Sequence, residues 1–454
     1  MTALTVVGGS IAALVAADAA ARAGRSVDLL LPARGVGGGF RPLEVDGRRL
    51  DLGVRLLELD REDAGPPPDL AAYRPGPEGH APFIRLVADW AGALLDGALV
   101  EVDRPRMLLD GRRVDDIYFT VDLTGLAGMV PDRAPRIARE AGAARSQWGA
   151  AGVLGDTDAL RSMSLEDASR ANHGDEFHER FSATMCAKIH PGGAAAVGAH
   201  LRRKVWMPLF HPATLERAAA GVPTGFSPRR PFHTVVPGGV GAAVDLLINR
   251  LRGAGARVRA VAQLAALERL PGGDTRLAFA DGERVDARRP VLGVGAHELF
   301  AAAGGSYTPS RIRMAIAWVE VPDGRVRERP SVVHIPDAGI PAFRLSTGDG
   351  RPGHTVVTVE LAHDVSETQM EVAALAAVTA AGIAPEGAGT VVHSVAAPAF
   401  VEPSPGAAAA FTEARAALDR LGLDAEVVGG AAYFGADSFN EQVVQGLRAE
   451  EATA

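Results

Sequence analysis

The first 60 residues constrain the fold of this chain more than any other stretch. An apolar run, Val6-Val7, enters a Gly8-Gly9-Ser10 turn, and an Ala-rich segment of helical character follows from about Ile11 to Ala23. Gly24 ends this predicted helix, and a second apolar run, Val27 to Leu31, comes next. Strand, small-residue turn, helix and strand in this order predict a βαβ unit that binds a dinucleotide.

The turn has the small residues that a pyrophosphate requires. Without bulky side chains, backbone N–H groups at the start of a helix can face the phosphates, and the helix dipole adds favourable charge. The three positions of the usual GxGxxG pattern are Gly8, Ser10 and Ala13, so small residues replace two of its three glycines. An ordinary strand, turn and helix without a ligand is the alternative interpretation.

Size, charge and cysteine content exclude several classes of protein. With 454 residues the chain is long enough for two lobes with substantial cores. The formal net charge of −8, without a basic stripe that carries aromatic residues, argues against a nucleic-acid partner. A single cysteine, Cys186, excludes an intramolecular disulfide and a cysteine-cluster metal site. Without a signal peptide or an apolar run that could span a bilayer, we expect a cytoplasmic protein.

After the opening unit, the sequence predicts a hairpin and then a largely helical region. Val45 to Gly53 has the pattern of a hairpin with a tight Asp46-Gly47 turn. Proline-rich loops between 65 and 77 mark the first exit from the nucleotide-binding lobe. Ser164 and Asp167 have the spacing of a capping box. The predicted helices of the region from about 80 to 225 are Phe83 to Leu95, Ala134 to Ala144, Leu165 to Asn172 and Leu215 to Ala220.

Strand, helix and strand return after Phe232, which predicts that the chain re-enters the first lobe. A helix is expected from about Ala242 to Gly253, a hairpin around Asp281-Gly282 and a strand from Val291 to Gly295. The tail predicts a strand at 426–428 and a final helix from Asn440 to Glu450. A mixed or antiparallel sheet is predicted between 310 and 400 from the runs Met314 to Val321, Ser331 to Ile335, Ala342 to Ser346 and Thr355 to Leu361, with one embedded helix, Ser366 to Ala381.

A series of short segments follows one order over most of the chain. They are the N-terminal glycine turn, Gly37-Gly38, Leu50-Asp51-Leu52-Gly53, Val205 to Pro212, Pro237-Gly238-Gly239, Ala342 to Leu345 and Phe439 to Leu447. Together they resemble the flavin amine oxidase superfamily, and within it the branch of protoporphyrinogen-oxidase-like and UDP-galactopyranose-mutase-like proteins.

The resemblance implies an α/β fold with two lobes. A Rossmann-like FAD-binding lobe would be assembled from three discontinuous stretches, 1–75, 226–305 and 425–454. The inserted substrate lobe would have a largely helical part, 76–225, and a part with a mixed or antiparallel sheet plus helices, 306–424. The isoalloxazine ring would lie at the junction of the lobes.

The resemblance also implies which residues contact FAD. Gly37 and Gly38 would approach the pyrophosphate or the ribityl chain, and Leu264 would contact adenine through its backbone. The last helix would direct its N-terminus, near Asn440, at the pyrimidine edge of the flavin. The implied FAD contacts are Gly8, Gly9, Ser10, Ile11, Ala12, Ala13, Arg34, Gly37, Gly38, Gly39, Phe40, Gly53, Leu264, Phe439, Asn440 and Val443.

The chain departs from the family pattern at three positions. The acidic residue that holds the adenosine ribose is expected at position 31, where this chain has Leu31, so either Arg34 or a backbone group would take over or FAD would be held less tightly. The final Gly-Asp of the family is Gly429-Gly430. The mutase branch has a histidine after its Asp-x-Gly segment, whereas this chain continues with Val54-Arg55-Leu56.

The resemblance implies an FAD-dependent oxidoreductase that oxidises an alcohol or amine carbon of a small polar metabolite by hydride transfer to flavin N5, in a biosynthetic pathway. The sequence leaves its catalytic residues open, because the flavin itself supplies the hydride chemistry. Arg344 is the leading candidate substrate contact, since its planar fork suits a carboxylate or phosphate, and a structural salt bridge is the alternative. The other candidates are Arg55, Trp206 and Phe210, with core packing as the alternative for the two aromatic residues.

Two other functions remain open at this point. One is a non-redox, mutase-like flavoenzyme that acts on a nucleotide-linked sugar. The other is an inactive or flavin-free binding or scaffold protein, which the missing carboxylates at 31 and 430 motivate. The scattered histidines lack HExxH spacing, so no metal site is expected, and a homodimer is one expected assembly.

Overall fold

Strands and helices alternate at both ends of the chain, and a run of long strands fills the region from 311 to 401. The computed structural model describes residues 3–32, 35–59, 65–76, 79–225 and 232–454. The strands are β1 (Leu4–Val7), β2 (Val27–Pro32), β3 (Leu43–Val45), β4 (Arg48–Leu50), β5 (Leu57–Glu58), β6 (Leu99–Val102), β7 (Arg106–Leu109), β8 (Arg112–Asp115), β9 (Phe232–Val235), β10 (Arg257–Val261), β11 (Leu264–Arg269), β12 (Thr275–Phe279), β13 (Arg284–Ala287), β14 (Val291–Leu292), β15 (Arg311–Pro322), β16 (Val332–His334), β17 (Ala342–Asp349), β18 (His354–Leu361), β19 (Thr390–Val401) and β20 (Glu426–Val427). The α-helices are α1 (Ile11–Arg22), α2 (Ile84–Leu94), α3 (Leu126–Met129), α4 (Ala134–Trp148), α5 (Thr157–Ser162), α6 (Leu165–His173), α7 (Asp175–Phe177), α8 (Thr184–Ile189), α9 (Pro212–Ala219), α10 (Gly239–Gly253), α11 (Ala296–Ala302), α12 (Met370–Ala380), α13 (Pro405–Arg420) and α14 (Phe439–Thr453).

The first lobe is built on a parallel sheet with the strand order β10-β2-β1-β14-β20. All neighbouring strands in this sheet run parallel, with Val6 of β1 opposite Leu29 of β2 and Val291 of β14. The strands come from three separate stretches of the chain, at its start, after residue 257 and near its end. The predicted βαβ unit is confirmed, and the turns at the carboxyl ends of β1, β14 and β20 meet at one edge.

Small residues let two helices pack closely against this sheet. The buried face of α1 consists mostly of alanine, a strong helix former with little bulk. Gly446 of α14 lies against it, because a Cβ there would be 2.5 Å from the Ala12 carbonyl oxygen. The C-terminal helix is thereby pressed onto the start of α1, which brings the two ends of the chain to the same site.

The second lobe is built on a sheet with the order β19-β15-β18-β17-β16-β7-β8. Its strands are antiparallel except for the parallel pair β16 and β7. One face packs Val333, Leu345 and Val357 against Ala374 of α12. Because side chains alternate along strands, the residues between these positions project from the opposite face, toward the first lobe. That face carries the polar residues described below.

Three predictions of secondary structure needed correction. The region from 80 to 225, predicted as helices and loops, also contains β6, β7 and β8, and β7 extends the second sheet. The β7–β8 hairpin turns at Asp110-Gly111, a signal that the sequence carried, but its strands are rich in arginine and lack clean alternation. The edge strand β19 and the helix α13 were not predicted, since β19 has few fully buried side chains and therefore no strong periodicity.

Other local predictions are confirmed. Helices lie at 84–94, 134–148 and 165–173, and Ser164 Oγ accepts the N–H of Asp167 at 3.0 Å, as the capping pattern predicted. Cys186 is fully buried among apolar side chains, and burial raises the pKa of its thiol to about 12. In the part of the chain that the structure describes, no helix combines the length and the apolar character needed to cross a membrane.

Candidate active site

Three glycine-containing segments meet at the carboxyl edge of the parallel sheet. Gly8 has a φ of +118°, and a Cβ there would lie 2.3 Å from the backbone that follows β14, so only glycine fits. The N–H of Gly37 donates to the Gly9 carbonyl at 2.7 Å. A Cβ on Gly429 would lie 3.0 Å from Ser10 Oγ. We name these segments, residues 8–10, 35–39 and 429–430, the glycine cradle.

The cradle presents backbone N–H groups and open space. Ser10 caps α1, and its Oγ accepts the N–H of Ala13 at 3.2 Å. Within the described ranges, the N–H groups of residues 9–11 have no acceptor in the protein. No atom lies within 4 Å of the Cβ position of Gly38, Gly39 or Gly430, and all three are exposed. Such a group of N–H donors at a helix N-terminus suits an anion.

Arg55 connects the cradle to the second lobe. Its Nη2 donates to the Gly39 carbonyl at 2.6 Å and its Nη1 to the Val54 carbonyl at 3.0 Å. The guanidinium carbon lies 5.5 Å from the centre of the Phe40 ring. Burial raises the pKa of the nearby Asp51 carboxyl, against the lowering effect of the Arg55 charge. Charge and aromatic surface therefore border the cradle on the side that faces the second lobe.

Arg344 and Glu360 form a bidentate ion pair on the polar face of the second sheet. Nε and Nη2 of Arg344 each lie 2.6 Å from a Glu360 oxygen, and the side chains are 1% and 2% exposed. The guanidinium carbon lies 3.8 Å from the centre of the Trp206 ring. A Cβ on Gly53 would be 2.9 Å from Glu360 Oε1, so the pair touches the segment that carries Arg55. Among the described residues, Arg344 Nη1 has no hydrogen-bond partner.

A histidine–aspartate pair lies next to Arg344. His334 is opposite Arg344 in the β16–β17 register, and its Nδ1 lies 2.8 Å from Asp116 Oδ1, with both side chains fully buried. The other Asp116 oxygen accepts the N–H groups of Phe119 and Thr120 at 2.6 and 3.0 Å. Although burial opposes it, His334 and these donors lower the pKa of Asp116.

The hydrogen bond to Asp116 fixes the role of each imidazole nitrogen. A carboxylate only accepts, so His334 Nδ1 carries a proton, and in the neutral imidazole Nε2 is the acceptor. Nε2 is buried, and the described part of the protein offers it no partner. His334 Nε2 and Arg344 Nη1 are thus an unpaired acceptor and an unpaired donor on neighbouring strands of one face.

A cavity of about 380 Å³ lies between the lobes. The first lobe contributes Asp51, Arg55 and Gly239 to its lining, and the second lobe contributes Ser346 and Thr358. The volume and the mixture of charged and hydroxyl groups suit a small polar molecule.

Comparison with known proteins identifies this architecture. Residues 6–64 match the family model of the NAD(P)-binding Rossmann-like domain. A structure of reduced UDP-galactopyranose mutase aligns with a TM-score of 0.71 at 14% identity, over 99% of this chain and 93% of that one. The putative protoporphyrinogen oxidase from Exiguobacterium sp. 255-15 aligns with a TM-score of 0.59 at 17% identity, over 99% and 98% of the two chains. A putrescine oxidase double mutant aligns with a TM-score of 0.57 at 15% identity, over 99% and 98%. No curated protein matches this sequence.

The chain shares its overall fold with these three proteins. The predicted fold class and the predicted resemblance are therefore confirmed. At these identities the likeness extends to the fold, and the roles of individual residues rest on the geometry of this chain.

Several positions for which the sequence resemblance implied FAD contacts are bonded to the protein itself. The N–H of Ala12 lies 3.4 Å from Gln442 Oε1. The N–H of Leu264, where adenine was expected, donates to Glu298 Oε1 at 2.9 Å. The side chain of Asn440 donates to the Glu58 carbonyl at 2.9 Å.

The other implied FAD contacts are distributed between the cradle and the core. Ile11, Ala12 and Ala13 are fully buried at the start of α1. Phe439 packs edge-on against Phe40 with ring centres 5.5 Å apart. Val443 is buried in the first-lobe core, and Leu31, where the ribose-binding acid was expected, is half-buried at the end of β2. Arg34 lies outside the described residues.

Three of the four candidate substrate contacts lie together, and the fourth lies elsewhere in the structure. Arg344, Arg55 and Trp206 lie together at the junction, although the charge of Arg344 is already paired with Glu360. Phe210 lies in the helical core instead, where its N–H donates to His173 Nε2 at 2.8 Å. Burial lowers the pKa of His173 to about 3, so this histidine is neutral. Within the described ranges, no group of three or more His, Cys, Asp or Glu residues could hold a metal ion.

Five residues of this region were not predicted: Asp116, His334, Glu360, Glu298 and Gln442. Asp116 and His334 are 218 positions apart, and Gln442 is 430 positions from Ala12, so no local spacing links either pair. One signal was present for Glu360, since a charged residue at the end of the apolar run from Val356 to Leu361 is unusual for a buried strand.

Proposed function

We propose that this protein is an FAD-dependent oxidoreductase of the cytoplasm, which oxidises an alcohol or amine carbon of a small polar metabolite by hydride transfer to flavin N5 in a biosynthetic pathway. The glycine cradle carries the proposal, because N–H groups without an acceptor meet open space at the N-terminus of α1. The fold shared with a putative protoporphyrinogen oxidase and with putrescine oxidase supports it.

The cradle fits the pyrophosphate of a dinucleotide. The N–H groups of residues 9–11 would bind phosphate oxygens, and Gly38, Gly39 and Gly430 leave room for them. Bound FAD supplies the hydride acceptor. The protein then has two tasks, which are to hold the substrate carbon in place and to accept the proton that leaves its oxygen or nitrogen.

His334 is the residue that we assign to the proton. Its Nε2 is an acceptor because Asp116 holds the proton on Nδ1. Arg344 Nη1 is the neighbouring donor without a partner, and it would bind a carboxylate, phosphate or hydroxyl oxygen of the substrate. The Glu360 ion pair and the Trp206 ring hold the guanidinium in one orientation for this contact.

The absorption spectrum of the purified protein tests the cofactor assignment. We expect flavin bands that persist through gel filtration, or that appear after FAD is added. We then expect members of a panel of alcohols and amines to bleach these bands under anaerobic conditions. A colourless protein that takes up no added FAD would refute the proposal and favour the flavin-free scaffold function, which Leu31 and the bonded N–H of Leu264 favour.

Replacing His334 with Gln tests the assignment of the base. The amide can still donate to Asp116 but cannot accept a proton, so bleaching by an active substrate should slow by about 100-fold to 10,000-fold. FAD uptake should stay unchanged. His211→Gln is the matched control, because His211 is exposed beside α9. Bleaching of the His334→Gln variant at the wild-type rate would assign the proton to another group.

A mutase-like function is the second candidate, and the TM-score of 0.71 with reduced UDP-galactopyranose mutase favours it. In that case a nucleotide-linked sugar would be rearranged without net oxidation. Activity would then depend on prior reduction of the flavin and would transfer no electrons to oxygen. Bleaching by an alcohol or amine with release of the oxidised product would exclude it.

A further inference from the structure

The side chain of Gln442 lies across the start of α1. Gln442 is on α14, 430 positions from Ala12 along the chain, yet its Oε1 is the acceptor nearest the Ala12 N–H, at 3.4 Å. Its Nε2 donates to the Asp437 carbonyl at 3.1 Å. Gln442 is 7% exposed and therefore buried.

Gln442 binds an N–H group at the start of α1, where the ligand that fits the cradle would also bind. The first-turn N–H groups of a helix are the donors that bind a phosphate. Gln442 accepts one of them, while the N–H groups of residues 9–11 have no acceptor among the residues that the structure describes. The amide oxygen is neutral, and at 3.4 Å its hydrogen bond is long and therefore weak. A phosphate oxygen would make a shorter, charge-assisted bond to the same N–H.

The loop around Gly429 is fastened by a similar contact from the same helix. Gln445 Oε1 accepts the N–H of Gly429 at 2.6 Å, and its Nε2 donates to the Ala436 carbonyl at 2.9 Å. Gln442 and Gln445 thus hold the loop from Gly429 to Asp437 against the cradle. A ligand that enters deeply enough to reach Ala12 must displace the Gln442 amide.

We infer that Gln442 is an internal competitor for the pyrophosphate site, so that FAD binds as an exchangeable ligand rather than as a permanently held group. The inference rests on the proposed use of FAD. The competition concerns only the phosphates of the dinucleotide, so the dissociation constant of ADP should change in the same direction as that of FAD.

Two substitutions with opposite expected effects test it. Gln442→Ala removes the competitor and leaves the Ala12 N–H without an acceptor, so the dissociation constants of FAD and ADP should fall by about three- to tenfold. Gln442→Glu keeps the shape and the acceptor but adds a negative charge beside the phosphates, so both dissociation constants should rise by about tenfold or more. Flavin fluorescence and isothermal titration calorimetry measure these constants. The effect of Gln442→Glu should shrink as the pH falls and the carboxylate is protonated.

Each outcome decides between the two proposals. If the dissociation constants shift in opposite directions for the two variants, the inference is supported. If only Gln442→Ala takes up FAD, the inference is supported, but the proposal that the natural chain is a flavoenzyme is refuted. Shifts in the same direction, as expected if Gln442 only stabilises α14, would overturn the inference and leave the proposed function intact. A failure of all three proteins to bind FAD and ADP would overturn both, because opening the site would have exposed no binding.

Discussion

Replacing Glu360 with Ala is expected to lower the free energy of unfolding by about 3–5 kcal/mol, because it leaves a buried guanidinium without its counter-charge. The ion pair is 2% exposed or less on both sides, so water cannot take the place of the missing carboxylate. Urea denaturation followed by circular dichroism measures the change. We also expect a lower melting temperature, by several degrees.

The double variant Arg344→Met, Glu360→Leu is the control for this result. Replacing both charges with apolar residues of similar size removes the unpaired charge, so most of the lost stability should return. If the proposed function holds, this stable double variant should still bind FAD but should no longer be bleached by substrate. A loss below about 1 kcal/mol for Glu360→Ala alone would mean that solvent reaches Arg344.

Replacing Lys188 with Met should destabilise the protein by about 3 kcal/mol or more, since buried carbonyl groups would lose their hydrogen-bond donor. Lys188 Nζ lies 2.6 to 2.9 Å from the carbonyl oxygens of Ile335, Asp337, Ile340 and Ala342, so these four acceptors share its N–H donors. These groups belong to the connection between β16 and β17, the strands that carry His334 and Arg344. The substitution should therefore loosen the polar face as well as the fold.

Hydrogen exchange distinguishes this local effect from a general loss of stability. In Lys188→Met, amides between 335 and 342 should exchange faster than those of the first lobe. Lys204→Met is the control, because the Lys204 side chain is also buried, at 6% exposed, but pairs with a half-exposed Asp437 and not with the β16–β17 connection, so amides between 335 and 342 should keep their protection. If amides between 335 and 342 lost protection equally in the two variants, the assigned role of Lys188 would be contradicted.

The first lobe was predictable because its signals are local. The apolar run before Gly8, the alanine helix and the run from Val27 to Leu31 lie within about thirty residues, and each element's composition agrees with its structure. The β7–β8 hairpin and β19 were missed because they lie at or near the edges of their sheet. Edge strands keep one side in solvent, so their sequences lack the apolar pattern on which such predictions depend.

The site was predictable only in part, for the same reason. The cradle positions from Gly8 to Ala13 and from Gly37 to Gly39 could be named because backbone geometry restricts the residues allowed there. Arg344 and Arg55 could be predicted from the sequence as candidate contacts, but the residues that they bond to could not. Asp116 and His334 are 218 positions apart, and only the parallel pairing of β16 with β7 brings them together.

The sequence by itself determined the dinucleotide-type turn, the two-lobe α/β class and the missing carboxylates at 31 and 430, since each depends on residue types at fixed local spacing. The tertiary structure alone decided which protein groups are bonded at several of the positions expected to contact FAD. It brought Gln442 of the last helix to the Ala12 N–H, Glu298 to Leu264, and Asn440 to Glu58. The physical reason is that buried hydrogen-bond donors need partners, and only the folded chain determines which distant side chain or backbone group lies close enough to bond them.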